Sequence, residues 1–184
     1  MSRSKRIMVT LLVPLSLWLA SDRAPVLAGA ESGEFFGNWA RQTGGGPAAG
    51  KFLVADRKLR DPNFARTVVL ILGHGARGST GLIVNRQSLL RLPQVLPDHP
   101  RAAGREDLIY QGGPVQAARL MVLARGQAKL EDAVSVFADV SLVTTRAGLA
   151  ATLDLGLPED SIRAYAGHAG WTSGQLDREI ARGD

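Results

Sequence analysis

The stretch from Asp61 to Arg86, DPNFARTVVLILGHGARGSTGLIVNR, constrains this chain more than any other part of it. Thr67 to Leu72 is an unbroken apolar run rich in β-branched residues, the pattern of a strand buried on both faces. Thr80 to Asn85 reads as a second strand, and Gly73 to Ser79 connects the two. That connection is longer than a two-residue turn, so it predicts an open loop or a bulged hairpin. The 21 glycines gather at such turns and favour a strand-and-turn fold over a helical bundle.

With 184 residues the chain holds one domain with a real core and is short for two. Its absence of cysteine excludes disulfides, thiolate catalysis, Cys-ligated zinc and a lipid-modified cysteine anchor. Charge argues little. Residues 1–30 hold four of the 22 basic residues and one of the 17 acidic ones, which leaves 18 against 16 for the rest. A nucleic-acid surface built on net charge therefore has little footing.

Met1 to Ala30 has the three parts of a secretory signal: Arg3, Lys5 and Arg6, then the uncharged run Ile7 to Ala20, then Ala28-Gly29-Ala30 before Glu31. The run is shorter than the roughly 20 residues a spanning helix needs. Glu31 to Gly50 is a linker by composition, with Gly44-Gly45-Gly46-Pro47 unable to nucleate regular structure. The domain runs from Lys51 to Asp184. Its further expected strands are Phe52–Ala55, Leu108–Tyr110, Arg119–Leu123, Val134–Val140 and Ser161–Ala166. Ser88–Leu96 reads as a short helix at best. Thr144 or Thr145 caps a helix over Arg146–Leu155, and Thr172 or Ser173 caps a last helix carrying Leu176 and Ile180.

Several pieces together resemble the YqgE/AlgH family of bacterial proteins: Gly50–Ala55, Asp61–Phe64 with Arg66–Leu70, Gly78 through Gly81–Arg86, Gly112-Gly113-Pro114-Val115, and Ala166–Trp171 running into Gly174-Gln175-Leu176 and Glu179-Ile180. They stand in family order and cover about 51 to 182. The resemblance implies an α+β fold, a bifurcated mixed β-sheet rolled into a pseudo-barrel with flanking helices. It also implies the family's usual tag of transcriptional regulator. Family members continue beyond the last helix, so the domain is expected to be incomplete at its C-terminus.

Read for chemistry, the residues specify no reaction. His74 and His168 each follow a strand in Gly-rich sequence, and His99 lies in a polar loop. No metal spacing joins them, so neither a metal nor any other cofactor is expected. Ser79 lacks the strand-to-helix elbow of a Ser nucleophile. Glycines 73, 75, 78 and 81 with Arg77 form either an anion-binding nest or a wide turn. Arg86, with Arg66, is suited to a carboxylate or phosphate, and Asn85 to backbone bonding. Gly112-Gly113 makes a tight turn against another backbone, and Trp171 is a packing anchor or a ligand platform.

The candidate ligand-binding set is His74, Arg77, Gly78, Asn85, Arg86, Gly112, Gly113, His168 and Trp171, with no catalytic residue assigned. The leading expectation is an exported, periplasmic or secreted, non-enzymatic domain that binds a small ligand or protein partner. A cytoplasmic regulator and a hydrolase using His74 or His168 are the alternatives. No helix-turn-helix or basic reading helix supports nucleic acid.

Overall fold

The computed structural model describes residues 46–126, 130 and 132–183. The expected signal and most of the linker lie outside them. Nine strands carry the fold: β1 (Phe52–Val54), β2 (Val68–Gly75), β3 (Gly78–Ile83), β4 (Gln87–Arg91), β5 (Leu108–Gln111), β6 (Val115–Arg125), β7 (Ala133–Phe137), β8 (Val140–Val143) and β9 (Ile162–Trp171). Among the described residues three α-helices accompany them: α1 (Leu92–Val95), α2 (Arg146–Asp154) and α3 (Gln175–Arg182). The main path of the sheet is β1-β2-β3-β9-β6-β8-β7, with β4 and β5 on a branch that joins at β9. All pairings are antiparallel except β5 with β9.

The branch sits on one strand. β9 pairs with β6 along one side, while its other side is shared by β5 opposite Ala164–Ala166 and β3 opposite Ala169–Trp171. Gly112 bridges the fork: its N–H donates to the Ala166 carbonyl and its carbonyl accepts from the Ile83 N–H. A Cβ at Gly112 would lie 2.2 Å from the Gly167 oxygen, and one at Gly113 2.3 Å from the His168 carbonyl carbon. Only glycine lets these backbones approach so closely. Here the expected tight turn against another backbone holds.

The sheet rolls until its two ends meet, with Phe52 of β1 edge-on to Phe137 of β7 at 6.3 Å between ring centroids. Leu70, Leu72, Leu82, Met121, Leu142 and Tyr165 fill the inside of the roll. Tyr165 packs at a tilt against Tyr110, whose ring lies under the Arg163 guanidinium and whose hydroxyl accepts from Gln87. On the outer face, α1 and α2 cover Ile109, Val122, Ala124, Ile162 and Ala164 with Leu92, Leu96, Leu149 and Leu153.

Several sequence-based boundaries move. The Gly73–Ser79 segment is not an open loop: β2 runs on through Gly75, β3 begins at Gly78, and only Ala76 and Arg77 turn, with an irregularity beside Leu72. Val134–Val140 is not one strand but the β7–β8 hairpin, which reverses at Ala138, held at φ 43°, and Asp139. The first half of Ser88–Leu96 is the strand β4, alternately exposed and half-buried, rather than helix. β9 continues four residues past Gly167, because Gly167 adopts a positive φ of 72° opposite a bulge in β6 and so bends without ending the ladder. The cap of α2 at Thr145 is as expected, its hydroxyl accepting from the Gly148 N–H at 3.0 Å.

The fork tests directly. Gly112→Ala should destabilise the protein by at least about 2 kcal/mol in urea denaturation, since an added methyl meets backbone that cannot move aside. Gly170→Ala on β9, where a Cβ meets only Val115 at 3.5 Å, should leave stability nearly unchanged.

Candidate functional site

The short β2–β3 turn does more than join two strands. Because His74 pairs with Ser79 across the hairpin, the imidazole Nδ1 and the Ser79 Oγ sit 2.9 Å apart. On the far side of the ring, Nε2 lies 3.6 Å from Asp177 Oδ1 on α3. Asp177 is half-exposed and His74 largely covered. Neither histidine nor serine was thus in a loop, as the sequence had implied, but both are strand residues.

α3 is fastened to the same corner by a second set of bonds. The Trp171 indole Nε1 donates to Glu179 Oε2 at 2.8 Å, and Gln175 Nε2 donates to Glu179 Oε1 at 2.9 Å. Gln175 Oε1 in turn accepts from both the N–H and the hydroxyl of Thr172. Neither Thr172 nor Ser173 caps the helix; Gly174 at φ 64° takes the N-cap position, and the Gln175 side chain closes the turn instead. The Trp171 ring packs against Phe64 at 5.9 Å and over Gly81, 3.5 Å from where a Cβ would stand. Gly78 is required beside it: at φ 124° its Cβ would lie 2.2 Å from the Trp171 carbonyl oxygen.

His74, Gly78, Ser79 and Trp171 therefore meet Gln175, Asp177 and Glu179 at one corner, with Arg77 exposed at the hairpin tip. The three α3 residues were missed by the sequence reading. Their signal was the four-residue spacing of Gln175 and Glu179 on one helix face. Glycines 73, 75, 78 and 81 are all paired strand residues. The wide glycine turn that a nest requires does not form.

The other candidates lie elsewhere and have structural partners. Asn85 Oδ1 accepts from the Val68 N–H at 2.9 Å and its Nδ2 donates to the Arg66 carbonyl at 3.0 Å. The Arg86 guanidinium donates to the carbonyls of Pro62, Asn63 and Ala65 and so ties down the turn before β2. Arg66 itself is exposed at φ 60°. Among the described contacts nothing joins His168 to His74. His168 faces Val115 across β6 and is buried at 7% exposure. Burial pushes its imidazole down to about 4, and the nearby Arg119 guanidinium adds to the effect. His99 is not merely solvated: its side chain is 15% exposed, with Nε2 3.8 Å from Asp154. No cluster of three or more metal-ligating side chains occurs among the described residues.

A bifurcated, rolled α+β sheet with a Gly-Gly fork and a Trp-anchored last helix defines a class, and sequence comparison identifies it. A family model described as AlgH-like matches residues 52–184. The chain belongs to this AlgH-like family, also called UPF0301. A UPF0301 protein of Pseudomonas putida strain W619 is 39% identical over 136 residues, covering 71% of each chain. One from Streptomyces coelicolor is 36% identical over 137 residues, covering 73% of this chain and 71% of that one. The solution structure of the AlgH protein from Pseudomonas aeruginosa superposes with a TM-score of 0.58 at 34% identity, over 71% of this chain and 70% of that one. The crystal structure of DIP2367 from Corynebacterium diphtheriae gives 0.60 at 25% identity, over 82% and 78%. These agree with the fold and family expected from the sequence.

His168 sets a pH dependence. Its folded value of about 4 lies below the ordinary 6.5, so the unfolded chain takes up the proton first as pH falls. Stability from this group is complete above pH 6.5 and is lost progressively between 6.5 and 4, by about 3 kcal/mol in all. NMR titration of the His168 ring should give a midpoint near 4, and a midpoint near 6.5 would contradict the burial argument.

Proposed function

We propose that this protein is an exported, non-enzymatic member of its family that binds a small ligand or a protein partner at the corner formed by the β2–β3 hairpin, the end of β9 and α3. The observation that carries the reading is how the polar groups of that corner are used. His74 has Ser79 on one ring nitrogen and Asp177 on the other, the partner types of a Ser-His-Asp triad, so what argues against catalysis is access to the hydroxyl and not the imidazole's partners. The Ser79 hydroxyl, the one bonded to His74, belongs to a residue only 5% exposed within paired strands, where an acyl substrate has no approach. What faces outward is recognition material: the Arg77 guanidinium, the Asp177 carboxylate and the rim of Trp171. Export rests on the Met1–Ala30 pattern alone, which lies outside the described residues. No helix among the described residues is long and apolar enough to cross a membrane.

Three measurements test this. A fragment and peptide screen by NMR on the full chain should find ligands that shift the amides of 75–79 and 171–179. Arg77→Ala should weaken such binding about tenfold while leaving the fold intact, as expected for one charge-assisted bond lost. Turnover of an ester or phosphoester dependent on His74 would reverse the non-enzymatic assignment. Intact mass from fractionated cells should show a chain beginning at Glu31 outside the cytoplasm, and a cytoplasmic chain retaining Met1 would instead favour the regulator.

A further inference from the structure

The two ends of the rolled sheet meet without pairing. Its main path finishes in β1 on one side and β7 on the other, and among the described residues neither strand has a partner along its outer edge. Contact is confined to one end of this seam. A Cβ at Gly50 would stand 2.9 Å from Phe137 Cβ and 3.3 Å from the Val136 carbonyl oxygen, and the Phe52 ring meets that of Phe137.

β1 turns an apolar face to this seam. Phe52 stands opposite Leu70, which lines the inside of the roll, so Phe52 and Val54, two residues on, share that inner face. Yet Phe52 is 53% exposed and Val54 73%. The backbone is open there as well. The Lys51 carbonyl and the Ala55 N–H bond to β2, so Phe52 and Val54, which alternate with them, direct their own N–H and C=O groups away from it. An edge with both apolar side chains and outward polar groups is a template for a further segment. The chain itself arrives at this place. The Gly46 carbonyl lies 2.7 Å from Lys51 Nζ, one residue before Phe52, and Ala48 between them is buried. Upstream, Phe35, Phe36 and Trp39 stand seven to eleven residues from Gly46, and no charge falls among residues 35–40. Extended, those residues reach about 25–35 Å, far more than the seam requires. Gly44, Gly45 and Gly46 let the chain double back.

We infer that residues 35–39 fold back onto the seam, where Phe35, Phe36 and Trp39 cover Phe52 and Val54. The segment ahead of the domain is then part of it, a cover that shields the apolar edge and keeps β1 from pairing with a second copy. Removal of residues 1–30 leaves the cover in place, since it begins beyond them. The seam uses none of the residues of the polar corner, so either assignment stands or falls alone.

NMR and limited proteolysis of the full chain test the inference. The Val54 methyl groups should show nuclear Overhauser contacts to ring protons of Phe35, Phe36 or Trp39. Chymotrypsin should cut at residues 35–39 at least about tenfold faster in Val54→Lys than in the unaltered chain, because cleavage follows the population of the open form. That substitution alters a mostly exposed side chain, and the amides of β6 and β9 report whether the sheet is intact. Absence of those contacts overturns the cover, as does equal cleavage of the two proteins. Contacts that cross between molecules in a mixed-label sample overturn it in favour of a second copy, and contacts from residues 7–20 overturn it in favour of that apolar run.

Discussion

The close approach of two backbones, Gly112-Gly113 against Gly167-His168, is the constraint on which the rest of this molecule depends. A strand has two edges and normally serves one neighbour on each. β9 serves three strands, because Gly112 ends β5 and hands the edge over to β3 within a single residue, bonding to both sides as it does so. Any side chain there would separate the layers by more than a hydrogen bond tolerates. From that handover come the fork of the sheet, the roll that brings Phe52 to Phe137, and the interior closed by Tyr165 and Met121.

The same strand organises the polar corner. Once β3 is laid against the end of β9, Ser79 stands opposite Trp171 and the tight hairpin sets His74 beside it. α3 then docks through Leu176 and through side-chain bonds made by Trp171, Gln175 and Glu179. Its hold on the sheet is thus partly apolar and partly polar, and half of Asp177 remains in water. A helix held in this way can present its outer face to something else without being released from the domain.

Much of this was legible in the sequence, and the misses follow a pattern. The TVVLIL run announced a doubly buried strand, Thr145 announced the cap of α2, and the paired glycines at 112 and 113 announced a close contact. Reading failed where glycine was taken only as a breaker. Gly73 and Gly167 lie inside strands beside a register shift, and Gly75 stays paired with Gly78 as the last residue of β2. For Gly167 the close neighbours are distant in the chain: it meets Gly113 and Val115, some fifty residues earlier. The α3 contributions to the corner were missed for a related reason. Spacing shows that Gln175 and Glu179 share a helix face, but not that an indole from β9 waits beneath it.

The place of β9 in the chain has a consequence for how the protein comes into being. Synthesis proceeds from the N-terminus, and the strand that joins both branches is the last of the nine to leave the ribosome. Until residues 162–171 are available, β3, β5 and β6 have no common neighbour, and β5 and β6 each lack their longest pairing partner. The nascent chain must then carry several apolar segments without a core to receive them, and assembly awaits contacts of long sequence separation, which form slowly. The two branches of such a chain close on one another only once β9 has emerged.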